Sequence, residues 1–391
     1  MLNRVIIKDF AKVQAGQGAP QKETDFSNEG YPFIRAGHLE ELLAGKDEMI
    51  LPKVNDDIAK KYRLKLHQPG AILFAKSGMS ATKGRIYKLR NFAYVVNHLA
   101  ILELKDNAYP DFIVFALKYV SPVNLINDSA YPSISQSAIE KFKIPFPALS
   151  DQRHIANILS KAEALIAQRK QSIALLDELL KSTFLEMFGD PVKNEKGWEI
   201  KKLNMITKVG TGGTPSRKKE SEYYNGEYFW AKTTEVNGSK IYDTEEKITE
   251  LALKESNCKL YPIGTILLAM YGQGKTRGNV GLLKIEAATN QACAAIPPSG
   301  NIDQSFLFEL LKNSYLNIRS LARGGNQENL NLNIVGSYPI IVPPKKDQTQ
   351  FAQIVEKTEA LKTHYQQSLQ ELENLYGSLS QRAFKGELSE L

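Results

Sequence analysis

The sequence predicts an α+β chain. Two similar mixed domains, residues 1–150 and 190–346, are separated by two long helices, residues 151–189 and 347–391. Paired as an antiparallel coiled coil, the helices make the whole a pseudo-twofold internal repeat. Three observations lead there. First, one segment recurs at a constant offset of 196 residues: Asp151-Gln152 matches Asp347-Gln348, Glu163-Ala164-Leu165 matches Glu359-Ala360-Leu361, and Phe188 matches Phe384. An ungapped match that includes positions packing does not dictate marks the duplication of a large unit. Second, both copies step their apolar residues by three, four and seven, the period of a coiled-coil seam. Third, the segments before the helices match more loosely, at offsets of 194 and 196.

The first domain reads as short strands before a short helix. Ala71–Ala75 follows the turn at Pro69-Gly70, and Arg85–Leu89, Ala93–Val96 and Ala100–Leu104 are further strand candidates. No helical periodicity of any length precedes Asp111, where Asp111–Tyr119 forms a helix behind Pro110. Ile144-Pro-Phe-Pro147 delivers the chain to the first long helix, whose seam is Leu159, Ile166, Ile173, Leu180 and Met187 with Ala162 and Leu176. Ser150 or Asp151 caps it, and Gly189 with Pro191 stops it. A helix of this size spans roughly 55–60 Å at ~1.5 Å per residue. In the second domain Pro262–Ala269 repeats Pro69–Ala75, and Gly272 and Gly278 repeat Gly78 and Gly84. The second long helix has its seam at Thr358, Leu361, Tyr365, Leu369, Leu372, Tyr376 and Leu379.

Composition bounds the function. The net charge of +7 is uneven: residues 1–150 hold 20 basic against 15 acidic groups, and residues 190–346 hold 21 against 16. The helical segments hold 5 against 5 and 4 against 7. Two basic modules on neutral or acidic rods favour a polyanion on the modules and a protein partner on the rods. Two cysteines and five scattered histidines offer neither a disulfide framework nor a metal quartet. With no apolar run long enough for a membrane and no signal-peptide layout, a cytoplasmic protein is expected.

The sequence holds no complete catalytic motif. Gly272-Gln-Gly274-Lys275-Thr276 resembles the end of a phosphate-binding loop, but Ala269 stands where its first glycine belongs and strand or turn follows. Glu103-Leu-Lys105 lacks the acid that should precede it in a nuclease site, and no Asn-Pro-Pro-aromatic segment exists. Neither catalytic nor metal-binding residues are assigned. The loops suit DNA better. Arg35, Lys76, Ser77, Thr82, Lys83 and Arg85 are the candidates in the first domain. In the second they are Thr214, Ser216, Arg217, Lys232, Tyr271, Gln273, Lys275, Thr276 and Arg277. Glycines let backbone N–H groups approach a phosphate, Lys and Arg neutralise it, and Arg, Gln, Ser and Thr read base edges.

This arrangement resembles the specificity subunit of type I restriction–modification systems. The residues that carry the resemblance are Ile144–Ile155, Val342–Gln348, Phe188-Gly-Asp-Pro191, Gly197-Trp-Glu-Ile200, Gly210-Thr-Gly-Gly-Thr-Pro-Ser216 and Phe229-Trp-Ala-Lys232. The first domain departs from it, with Gly16-Gln-Gly-Ala-Pro-Gln21 where the glycine-rich run belongs. The resemblance implies a non-enzymatic chain with two target recognition domains, each reading one half of a bipartite double-stranded DNA target. It also implies helices that dock two modification subunits. Those subunits would bind S-adenosylmethionine, and a restriction subunit using ATP and Mg could join, so this chain itself would hold no cofactor. A stand-alone DNA-binding scaffold and a nuclease with an unrecognised site are the other readings.

Overall fold

The computed structural model describes residues 2–323 and 328–388. The chain forms two compact units, one of residues 1–169 with 368–391 and one of residues 170–367. Each unit thus takes one mixed domain and a half of each long helix.

The long helices are Leu149–Phe188 and Lys345–Lys385, of 40 and 41 residues. The first begins earlier than the expected caps. Ser150 and Asp151 therefore lie inside its first turn, where Asp151 acts on the positive end of the helix dipole instead. Gly189, at φ +75°, ends it as expected. Within each unit the two halves run antiparallel. In unit 1, Ile155 and Leu159 share a core with Ala383 and Phe384, while Tyr376 donates to Glu163 at 3.1 Å one turn on. In unit 2, Phe184 and Phe188 each lie 5.5 Å from Phe351, and Lys362 donates to Asp177 at 2.5 Å.

The seam of the second helix differs from the expectation at one residue. Leu361 is 40% exposed, and Lys362 holds the seam position between buried Thr358 and half-buried Tyr365. The repeat explains this, because Lys362 is the counterpart of Ile166 and Leu361 that of Leu165, itself 51% exposed. Hydrophobicity alone placed Leu361 inward.

The two domains share a common topology, to which the second adds one strand. In unit 1, a four-stranded sheet has the order Ala11–Ala15, Leu99–Leu104, Ile72–Ala75, Ile86–Lys88. A three-stranded sheet has the order Lys53–Val54, Tyr31–Ile34, Tyr94–Val95. In unit 2, the first sheet has five strands, Gly210–Thr211, Cys293–Ile296, Ile266–Ala269, Val280–Leu283 and Lys240–Ile241. The second has Glu246–Ile248, Tyr224–Ala231 and Ala287–Thr289. In both small sheets the central strand pairs antiparallel on one side and parallel on the other. The four strands expected in the first domain all form. The helix behind Pro110 runs Pro110–Val120 with the proline in its first turn. Ile7–Phe10, His38–Leu43 and Asp56–Lys61 are helices of four to six residues, too short to leave a periodic trace.

A buried glutamine explains why the Asp-Gln pair is duplicated. Gln152 accepts the Tyr109 N–H at 2.8 Å and donates to the Asn107 and Pro147 carbonyls at 3.1 and 3.0 Å. Gln348 accepts the Asp303 N–H at 2.8 Å and donates to the Pro343 carbonyl at 2.8 Å. Each glutamine satisfies backbone groups that the domain–helix junction has removed from water.

Candidate DNA interface

The candidate loops of the two units occupy equivalent places, as their backbone bonds show. In unit 1 the Lys76 N–H donates to the His98 carbonyl at 2.9 Å, and the Lys76 carbonyl accepts from Ile134 at 2.7 Å. In unit 2 Met270 makes the same two bonds, to Ala292 at 2.8 Å and from Leu330 at 3.0 Å. Each loop then leads into the antiparallel neighbour of the strand it leaves. Gly78 and Gly84 bracket a short 3-10 turn, Met79–Lys83, at φ +74° and +60°. Left-handed backbone at both ends of so short a loop requires glycine.

The glycine-rich run has a matched place too. A Cβ on Gly16 would lie 2.0 Å from the Val95 carbonyl oxygen, and one on Gly212 would lie 1.6 Å from that of Thr289. The first domain's run departs in sequence but meets the same steric demand. Arg35 and Lys232 are counterparts as well. Each follows directly the strand residue whose carbonyl accepts from a matched loop, Ile34 from Val96 at 3.0 Å and Ala231 from Asn290 at 3.2 Å.

The basic side chains divide into two kinds. Among the described residues Lys76, Lys83 and Lys275 carry no ion pair, and Lys83 and Lys275 are exposed. The arginines are pre-engaged. Arg85 pairs with Glu40, which is 70% exposed. Arg277 donates to the Glu328 carbonyl and pairs with its carboxylate at 3.3 Å. Arg217 reaches Glu246 at 2.6 Å and Glu220 at 3.2 Å, with its guanidinium 4.0 Å from the centre of the Tyr224 ring. Lys232 holds Glu245 and Glu246, both at 2.8 Å, and these bonds raise its pKa. Arg35 instead lies over the Phe26 ring at 5.1 Å. The carboxylates of Glu40 and Glu328 are 70% and 59% exposed, so a phosphate can compete with them for the same arginines.

The polar candidates shape the loops. Ser77 Oγ bonds His98 Nδ1 at 2.8 Å, Thr82 donates to the Met79 carbonyl at 2.9 Å, and Thr214 donates to Gln291 at 2.5 Å. The Gln273 carbonyl accepts from Thr276 N at 3.3 Å, and that of Lys275 from the Tyr315 hydroxyl at 3.0 Å. Ser216 and Tyr271 are exposed. Sequence reasoning missed the second strip of each face. Pro132–Ile134 in unit 1, and Glu328 and Leu330 in unit 2, bond to the candidate loops. The signal was present, since Ile134 and Leu330 stand at the 196 offset.

No group of three or more potential metal ligands exists among the described residues, and none of their helices is long and apolar enough to cross a membrane. The sequence profile described as the type I restriction modification DNA specificity domain matches residues 3–176 and 195–374. The chain belongs to this specificity family. Among its members, the MjaIX specificity subunit of Methanocaldococcus jannaschii is 22% identical, across 98% of this chain and 92% of that protein. The MjaVIII specificity subunit of the same organism is 26% identical, across 89% and 84%. The crystal structure of an S subunit from M. genitalium shares the fold at a TM-score of 0.61, with 16% identity over 98% of this chain and 96% of that one. The two matched spans take in both domains and the greater part of each long helix.

Proposed function

We propose that this chain is the DNA-recognition subunit of a type I restriction–modification assembly. Each unit reads one half of a bipartite target, without catalysis by this chain. The observation that carries the reading is the paired loop face. The bonds of Lys76 and Met270 repeat, as do the close approaches at Gly16 and Gly212, while the exposed residues differ. A framework held constant under variable loops suits two readers with different half-sites. S-adenosylmethionine belongs to the modification subunits, and ATP with Mg to a restriction subunit, on this reading. The expected compartment is the cytoplasm.

The helices supply a surface for the modification subunits. Leu165 and Leu375 in unit 1, and Leu179 and Leu361 in unit 2, are 40–51% exposed. Each directly precedes a seam residue, which in an antiparallel pair puts both leucines of a unit on one flank. Lys118–Glu163 in unit 1 and Lys240–Glu359 in unit 2 bind the domains to the other flank. Two like apolar patches suit two copies of one helical partner.

Methylation-aware sequencing of the host genome tests the reading. A bipartite motif should vanish on deletion of this gene and return on complementation. An unchanged methylation pattern after deletion would refute it.

A further inference from the structure

Tyr131 is 82% exposed, more than any other large apolar side chain among the described residues. Scattered exposed rings are ordinary on protein surfaces. The backbone beneath this one is held in place. Asp128 Oδ1 accepts the N–H groups of Ala130 and Tyr131 at 2.8 and 3.4 Å. The next carbonyl, of Pro132, accepts from Gly78 at 2.9 Å; Ser133 bridges Ser77, and Ile134 donates to Lys76. Successive backbone ties thus fasten the tyrosine's segment to the basic loop Lys76–Arg85. Met79, on that loop, is itself 65% exposed.

Unit 2 offers an independent parallel. Tyr271 holds the place of Ser77, directly after Met270, and is 41% exposed. Each unit therefore presents an exposed tyrosine on this hydrogen-bonded pair of segments, but from opposite members of the pair. A tyrosine ring is flat and nearly rigid, a wedge that can press on a base step of a duplex, so either segment can supply it.

We infer that Tyr131 is a DNA contact of unit 1, its ring laid against a base or base step of the first half-site, and that Tyr271 does the same for unit 2. This rests on the DNA-recognition reading above. Lys76 and Lys83, on the loop to which the segment is tied, supply phosphate attraction, and the ring supplies an apolar surface that phosphates do not need.

The test uses the full chain assembled with its modification subunits and a duplex carrying the motif it confers. Tyr131→Ala should weaken binding roughly ten- to hundred-fold. It should leave the slope of log affinity against log salt unchanged, because no counterion is released through the ring. Tyr131→Phe should bind like the parent. A 2-aminopurine in the first half-site should brighten with Tyr131→Ala and not with Tyr271→Ala, which should act on the second half-site. Unfolding curves should match the parent, since the ring is in water. If Tyr131→Ala binds like the parent while Lys83→Ala weakens binding and lowers the slope, Tyr131 is no contact and the DNA face stands. If the parent prefers the motif duplex no more than a scrambled one, the recognition reading itself falls.

Discussion

Units 1 and 2 agree where the backbone must be satisfied, and their loop faces differ where side chains meet water. Gln152 and Gln348 close the same junction. A Cβ on Gly30 would lie 2.1 Å from the Val54 carbonyl oxygen, and one on Gly226 2.4 Å from that of Ile248. The charged groups follow no such rule. Glu246 gathers Arg217 and Lys232 in unit 2, whereas Arg35, the counterpart of Lys232 in unit 1, rests on an aromatic ring. Even the core departs from that rule in places. Glu309, 4% exposed, stands where unit 1 has buried Phe115, and it leans on Lys312 at 2.9 Å. The comparison teaches that duplication preserved the steric and hydrogen-bonding demands of the fold and released the rest.

The largest effect should come from exchanging whole domains. Replacing residues 1–150 by the first domain of another member of the family should rewrite one half of the methylated motif and leave the other half intact. A change in both halves would show that the units do not read independently.

Next come the shared glutamines. Gln152→Ala strands the Tyr109 N–H and two carbonyls in a buried junction, an expected loss of roughly 2–4 kcal/mol. Hydrogen exchange should report the loss in unit 1, and Gln348→Ala should report it in unit 2. Equal loosening of both units by either variant would contradict their description as separate compact bodies.

The loop cations sharpen the contrast between the two kinds of base. Lys83→Ala or Lys275→Ala should lower the salt slope of DNA binding by about one unit each. Arg85→Ala and Arg277→Ala should cost ~1–3 kcal/mol if they read guanine, with relaxed specificity at one position. Glu40→Gln frees Arg85 and should tighten binding slightly. Arginine variants that alter neither affinity nor motif would place recognition on other loops.

The smallest effect concerns Glu309. Burial holds its carboxyl above the ordinary range, Lys312 opposes this, and Glu359 and Asp177 add to it. The folded state therefore favours the protonated acid. Unit 2 should lose stability as pH rises from the ordinary carboxylate value through this raised one, and Glu309→Gln should flatten that slope. Unfolding midpoints across an acid pH series check it, with unit 1 as the internal control.

Much of this was legible beforehand because repetition and periodicity are properties of sequence. The offset that aligned Asp151-Gln152 with Asp347-Gln348 located both helices and both junctions. The strand after Pro69-Gly70 announced itself by composition. Other features depend on contacts that no local pattern encodes. Nothing near Arg85 signals that Glu40 lies beside it, and Gly16 looks like an ordinary turn residue until the Val95 carbonyl arrives. Leu361 was misplaced because an apolar residue at a plausible step outweighed a lysine that reaches Asp177. The segment around Tyr131 has no periodicity at all, and only its bonds to Lys76 and Gly78 reveal its company.

Unit 1 is assembled from stretches far apart in the chain, and Leu2 lies so near Gly386 that a Cβ there would meet its Cδ2 at 3.3 Å. The order in which the segments are connected is thus separable from the architecture they build. A linker from Leu388, which stays in the unit 1 core, back to Leu2, with new ends opened in the turn between Gly189 and Gly197, would give a circular permutant that begins with the second domain. It should refold to the same two units and confer the same motif.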